Sequence, residues 1–246
     1  MILNALQTAH ALHYGALSDE IAALLQDASV HVPQRMVLAL PGGGHLFIMP
    51  AHDARIAITK LITLTPANAA PTNAARGLAS IQGNVVVFDN TTDAQLAVLD
   101  GPTITARRTA AVSLLAAQRM AAVPAGALLI IGAGVISGQA SVVDKVEDAL
   151  PNCPLVAICT PANHIALTTA VGLYPQAFVS AVGAYKAHMS ELAPSVVQHF
   201  SQHGRIVVAT ADAVHEAGDL MQAGIDIAQC ATLQRIVQLS TPVSLP

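Results

Sequence analysis

Charged residues are scarce in this sequence, so each one in an apolar setting is informative. The 246 residues include 11 Lys+Arg and 15 Asp+Glu, and charged residues make up 11% of the total. Lys60 interrupts the apolar run RIAITKLITL at 55–64. A lysine there either carries its ammonium to solvent at a sheet edge or sits in a site where burial lowers its pKa. Arg35 opens the run RMVLAL, where it is either solvated or placed to meet an anion. Arg107 and Arg108 stand together at what reads as a helix start. Cations at that end oppose the helix dipole, so the placement costs stability unless an anion compensates. A guanidinium forks onto two oxygens at once, which suits a carboxylate or phosphate; the other reading of the pair is exposed surface.

A second kind of chemistry is suggested by glycines. Gly132-Ala133-Gly134 follows the apolar run ALLII, as a strand turning onto a helix N-terminus would. Such glycines let the backbone approach a pyrophosphate, and the exposed N–H groups favour its charge. The third glycine arrives only at Gly138, one residue later than the usual dinucleotide fingerprint, and a tight turn in any α/β protein has the same local look. Ten histidines are scattered without metal-ligand spacing, so no metal is expected. His188 and His215 fall in loops or helix ends, as solvated or capping groups. His164 follows a strand's C-terminal end, where ligands gather in open α/β sheets. Cys153, Cys159 and Cys230 are odd in number and read as reduced core thiols.

The elements that must position these residues come in two textures. Residues 17–28 show an amphipathic helical pattern, with Ser18 as N-cap and Asp19 and Glu20 in the first turn. Short strand-like runs follow at 35–40, 45–50, 55–64, 83–89 and 94–100, punctuated by Gly42-Gly43-Gly44 and by Asp89–Asp93 as hairpin turns. That is an antiparallel meander. The stretch TARRTAAVSLLAAQRMA then reads as a helix with Arg107 and Arg108 at its N-terminus. Beyond Pro124 the pattern is β-α-β, with strands at 127–131 and 155–159 and a helix over roughly 136–149. Further strands are expected at 177–182 and 205–209 with helical stretches between. The class is α/β with two domains and a boundary near 115–125.

Apolar residues make up 53% of the chain, enough for a substantial core. A net charge of −4 offers no basic footprint for nucleic acid. No apolar run approaches the roughly 18 to 20 residues of a membrane span. The start MILNALQTAHALHYGAL lacks the basic region of a signal peptide, so the expectation is a soluble cytoplasmic protein.

Read together, LPGGGHLFIMPAHDARIAITKLITLTPAN, LASIQGNVVVFDNTTDAQLAVLDGPTITARRTAAVSLLAAQRM, LLIIGAGV, AVGAYKAHMSEL and HEAGDLMQAG resemble the ornithine cyclodeaminase/mu-crystallin family, and within it the bacterial Δ1-pyrroline-2-carboxylate reductases. The likeness is densest from Arg35 to Met120. It implies an antiparallel-sheet domain that binds substrate and dimerises, over 1–118. A reduced Rossmann-like domain for NADPH or NADH would cover 119–230, and a tail over 231–246 would return toward the first domain. The implied reaction is hydride transfer to the C=N carbon of a cyclic imino acid, giving L-proline. By resemblance the substrate-carboxylate arginine falls on Arg35, the active-site lysine on Lys60, and a second arginine beside substrate and cofactor on Arg108. Cofactor contacts fall on Ser80, Arg108, Gly132, Ala133, Gly134, Val135, Thr160 and Val182.

The departures are specific. Cyclodeaminases carry an Asp where Tyr185 stands here, which favours a reductase over ornithine cyclodeamination. Ala187-His188 replaces a usual Pro-Asp, and Ile136 replaces the Gln of the glycine motif. Only 26 residues separate Gly134 from Thr160, where a doubly wound half takes roughly 60. By resemblance LVAICTPAN corresponds to the fourth family strand, with the second and third without counterpart, and it should lie directly beside the first. Asp144, in the expected helix, is too early to serve a ribose. The sequence ends at PVSLP, where the family continues through a Lys-Ser-x-Gly segment. A member that binds ligand without turnover, with weak or no nucleotide affinity, is the alternative.

Overall fold

The computed structural model describes residues 1–65, 68, 77–123, 126–132 and 140–239, in two compact units, Met1–Ala111 and Val112–Pro246. The first opens with α1 (Ala5–Ala11), closed by a capping box between Asn4 and Gln7. Next comes α2 (Tyr14–Leu24). Ser18 is not its N-cap: the helix starts four residues earlier, and Ser18 is wholly buried within it. The early start is held from a distance, because the Arg107 guanidinium donates to the Leu12 carbonyl at 2.9 Å and lies 4.5 Å over the Tyr14 ring.

A five-stranded antiparallel sheet follows in sequence order: β1 (Met36–Ala39), β2 (His45–His52), β3 (Ile56–Leu64), β4 (Ile81–Asp89) and β5 (Gln95–Asp100). The meander is as expected. Gly42 and Gly43 adopt φ of +90° and +83° to turn β1 into β2. At the β4–β5 hairpin, the Asp89 carboxylate accepts the N–H groups of Thr91 and Thr92, both at 2.8 Å. Alternation gives the sheet two faces. Ile62, Val85 and Ala97 are buried on one. Met36, Leu38 and Leu61 are exposed on the other.

From β5 the chain enters α3 (Gly101–Met120), and the division between the units falls inside this helix. The expected start near Arg107 is corrected. The Asp100 side chain accepts the Thr103 N–H at 2.8 Å, and Pro102 is tolerated in a first turn whose N–H groups lack helical partners. Arg107 and Arg108 thus sit near the end of the second turn, past the reach of the terminal dipole.

The second unit is built on a parallel sheet in the order β6 (Leu128–Ile131), β7 (Leu155–Ile158), β8 (Phe178–Ala181). β6 and β7 are thus direct neighbours, as expected of the runs at 127–131 and 155–159. Of the helix expected over 136–149, residues 133–139 lie outside the described residues and 140–145 are not helical. Only α4 (Val146–Ala149) forms, followed by a single tight turn at Leu150–Asn152. Val142 is 97% exposed, so it gains nothing from helix packing, and β-branched residues resist helix formation without that gain. Asp144 consequently lies in irregular chain. No helix forms between β7 and β8 either; Leu167 is instead held by a parallel bridge to Leu192.

After β8 come α5 (Pro194–His203), β9 (Val207–Val208), α6 (Gly218–Gln222), β10 (Ala231–Thr232) and α7 (Leu233–Leu239). β9 is shorter than the expected 205–209 and pairs in parallel with β10, apart from the main sheet. The core gathers Leu129, Leu150, Val156, Ile158, Leu167 and Val196. Cys153 joins it, but Cys159 is exposed and Cys230 half-buried, so only one of the three is a core thiol. Cys159 lies just past the end of β7, where the chain leaves the core. No helix among the described residues is long and apolar enough to cross a membrane.

Candidate active site

Lys60 occupies the middle of β3, between Met49 on β2 and Val85 on β4. It is half-buried on the inner face beside the buried Val85 and Ile62. Burial is the main reason its ammonium is held down to a pKa of about 8, and the nearby positive charge of Arg108 adds to the effect. β3 is an interior strand of the sheet, so Lys60 does not stand at a sheet edge.

Arg35 immediately precedes β1 and is exposed, with its guanidinium 5.9 Å from the centre of the Phe47 ring. Met36 is paired with Ile48, so the register carries Arg35 opposite Met49, which is itself the partner of Lys60. Arg35 and Lys60 therefore share one face with a single strand between them, about 10 Å apart at the backbone. Arg108 is exposed and close enough to act on Lys60 electrostatically. Arg107 is already committed to Leu12 and Tyr14, so the two adjacent arginines have different tasks. Ser80 stands apart: it precedes β4, five residues before Val85, or roughly 16 Å along the strand. Its carbonyl accepts the Thr65 N–H at 2.8 Å.

In the second unit, Gly132 ends β6 with a φ of +149°, and a Cβ there would stand 2.7 Å from the Cys159 carbonyl oxygen. Ala133, Gly134, Val135 and Ile136 lie outside the described residues. Thr160 follows β7, and Val182 follows β8 with its N–H on the Ile158 carbonyl at 3.1 Å. The carboxylate of Glu191 joins these strand ends. Its Oε1 accepts the Thr160 N–H and the Thr160 hydroxyl, each at 2.7 Å, and its Oε2 accepts the Gly183 N–H at 2.6 Å. Gly183 permits this approach, because a Cβ would collide with the Thr160 carbonyl and the Glu191 carboxylate. Sequence reasoning missed Glu191: its partners lie 31 and 8 residues away, and the only local signal is an acid in the otherwise neutral stretch MSEL.

The remaining candidates are dispersed. His164 is exposed in a bend after β7, His188 is exposed in a turn, and His215 ends a short helical turn at Ala211–His215. The Tyr185 ring is 5.7 Å from the Lys186 ammonium. Among the described residues, no three His, Cys, Asp or Glu side chains gather in a way that could hold a metal ion.

The model of the ornithine cyclodeaminase/mu-crystallin family matches residues 1–142, more than half of the chain. The chain belongs to that family. Among curated relatives, Delta(1)-pyrroline-2-carboxylate reductase 1 of Burkholderia multivorans is 32% identical over 274 aligned positions, covering 96% of this chain and 85% of the relative. A 246-residue chain cannot fill 274 positions, so the relative has residues without counterpart here. Of solved structures, Thermococcus litoralis Delta(1)-pyrroline-2-carboxylate reductase in complex with NADH and L-proline superposes with a TM-score of 0.74 at 19% identity, covering 99% of this chain and 85% of that one. An archaeal alanine dehydrogenase dimer with bound NAD gives 0.77, also at 19% identity, covering 100% and 87%. These likenesses establish the shared fold.

The family's nicotinamide cofactor can be compared with the residues present. At the C-terminal edge of the parallel sheet, where such sheets take ligands, Thr160 and Gly183 are held side by side and Val182 is exposed beside them. A dinucleotide held at that edge would meet Thr160, Val182 and Gly183. The adenosine side is thinner: among the described residues β6 pairs with β7 alone, leaving Leu128 and Ile130 exposed.

Proposed function

We propose that the chain reduces the C=N bond of a cyclic imino acid of the Δ1-pyrroline-2-carboxylate kind, giving L-proline, with NADH or NADPH as hydride donor. The observation that supports it best is Lys60, at a pKa of about 8, on the sheet face it shares with Arg35 and within reach of the Arg108 charge. The 32% identity to a protein named for that reaction adds chemical identity to the geometry.

Reduction of a ketimine places a hydride on carbon and a proton on nitrogen. The nicotinamide, when bound, supplies the hydride. Lys60 in its ammonium form donates the proton to the ring nitrogen, a transfer helped by a pKa near the working pH. Arg35 and Arg108 hold the carboxylate, which fixes the orientation of the planar C=N group. The unit containing Lys60 is the substrate side. Thr160, Val182 and the glycine turn at Gly132, Ala133, Gly134 and Val135 belong to the nucleotide side, with Ser80 as a further family contact.

A homodimer is part of the reading. Met36, Leu38 and Leu61 form an exposed apolar face on the first sheet, and such faces mark association surfaces. A cytoplasmic setting, where thiols stay reduced, agrees with three free cysteines.

The test is direct. The purified chain, Δ1-pyrroline-2-carboxylate and NADH or NADPH should give loss of reduced nucleotide matched by formation of L-proline. No turnover with either nucleotide at high protein concentration overturns the proposal. The thin adenosine side favours a second reading, a member that binds the imino acid without turnover. Calorimetry separates the two, since proline binding without nucleotide binding supports the second.

A further inference from the structure

Glu191 is a buried acid for which the proposed chemistry has no direct use. Its side chain is fully enclosed, yet it spans the exits of two neighbouring parallel strands. The bonds to Thr160 and Gly183, at 2.6 to 2.7 Å, are in the short range of hydrogen bonds to carboxylates. A second acid holds the first in place. Asp219, also buried, accepts with Oδ1 from the Glu191 N–H at 2.7 Å, the Leu192 N–H at 2.7 Å and the Ser190 hydroxyl at 2.8 Å. Enclosing a carboxylate is costly, and apolar residues of similar volume often stabilise a fold as well or better. What a hydrogen-bonded carboxylate adds is a fixed spacing between the two chain segments it joins.

We infer that Glu191 is the positioning residue of the cofactor edge. It sets the separation and direction of the backbone at Thr160 and Gly183, so that both present to the nicotinamide end of the nucleotide. This rests on the nucleotide-dependent reading above. Glu191 reaches the ligand only through the segments it ties together. Its effect therefore falls on the nucleotide and not on the imino acid, whose carboxylate is held by Arg35 and Arg108.

Glu191→Gln discriminates well. The amide oxygen can keep the Thr160 pair, but its NH2 group then faces the Gly183 N–H, donor against donor. Leaving that N–H unpaired should raise the nucleotide KM and the nucleotide Kd, read by NADH or NADPH fluorescence, about tenfold or more. The imino-acid KM should stay within about twofold, because the hydrogen bonds of Glu191 go to Thr160, Gly183 and Asp219, all in the second unit. Ser190→Ala, which removes one bond to Asp219, should lower the melting temperature without changing nucleotide affinity. If Glu191→Gln does not fold, Glu191→Asp decides by the same two KM values, since it keeps the charge and shortens the reach to Thr160 and Gly183. A folded Glu191→Gln protein with wild-type nucleotide affinity overturns the inference alone. So does an equal rise in both KM values. A wild-type chain that binds neither nucleotide overturns the proposed reduction and this inference with it.

Discussion

Arg35 and Lys60 flank Met49 on one face of the first sheet, a cation at each side of a single strand. The gap of about 10 Å lets two long side chains converge on one small acid from opposite sides. If Arg35 holds the carboxylate, Arg35→Met should raise the imino-acid KM about ten- to a hundredfold, the worth of a hydrogen bond to a charged group. Steady-state kinetics at saturating nucleotide read this directly, and an unchanged KM would remove Arg35 from the site.

Lys60 should be worth more to activity than to stability. Lys60→Met is expected to lower kcat about 10²- to 10⁴-fold, the range for a lost proton donor. The same substitution should raise the melting temperature at pH 7. Burial lowers the folded-state pKa from 10.5 to about 8, so the unfolded chain binds the proton more tightly. Below pH 8 this costs the fold about 1 to 3 kcal/mol, because solvent at the half-buried ammonium screens part of the full shift. The cost fades as pH rises from 8 to 10.5, so the advantage of Lys60→Met should shrink over that window in thermal melts.

The same pKa sets a rate profile. With Lys60 as proton donor, kcat/KM should be level below pH 8 and fall as the pH rises above it. Arg108→Gln removes a cation that holds this pKa down, so the falling limb should move to higher pH even as the rate drops. Burial remains the larger cause, which keeps the limb below 10.5. A limb that stays in place would mean that Arg108 does not act on Lys60.

Much of this was legible in the primary structure, for a physical reason. Alternating runs around Lys60 announce a half-buried antiparallel sheet, and β1 to β5 fall within about two residues of the expected runs. Helix starts were harder to read. Ser18 has the chemistry of a cap, yet α2 begins at Tyr14, where Arg107 reaches back from 93 residues away. Likewise the next helix reads as starting beside Arg107 and Arg108, but it starts at Gly101, capped by Asp100. The Arg107 contact leaves no local trace, and Glu191 is hidden in the same way.

Gly132 offers a test that needs no substrate. At φ +149° a side chain is strained, and a Cβ would press on the Cys159 carbonyl at 2.7 Å. Gly132→Ala should destabilise the second unit by about 2 to 3 kcal/mol, seen as a lower denaturation midpoint. A wild-type midpoint would show that β6 and β7 can separate at this point without cost.

The dimer proposal is open to a charge. Leu38→Glu places a carboxylate on the exposed apolar face, away from Lys60, and should shift sedimentation from dimer to monomer. A wild-type chain that sediments as a monomer at micromolar concentration would sink the proposal outright.

β1 to β5 pair with one another strictly in sequence order, so each of these four pairings closes a local loop at modest entropic cost. β6, β7 and β8 run parallel, and each pairing must wait for a crossover of roughly twenty residues. Local contacts form fast, and a ribosome releases the N-terminal portion first. The face carrying Arg35 and Lys60 can thus assemble before the segment holding Glu191 and Asp219 has been synthesised.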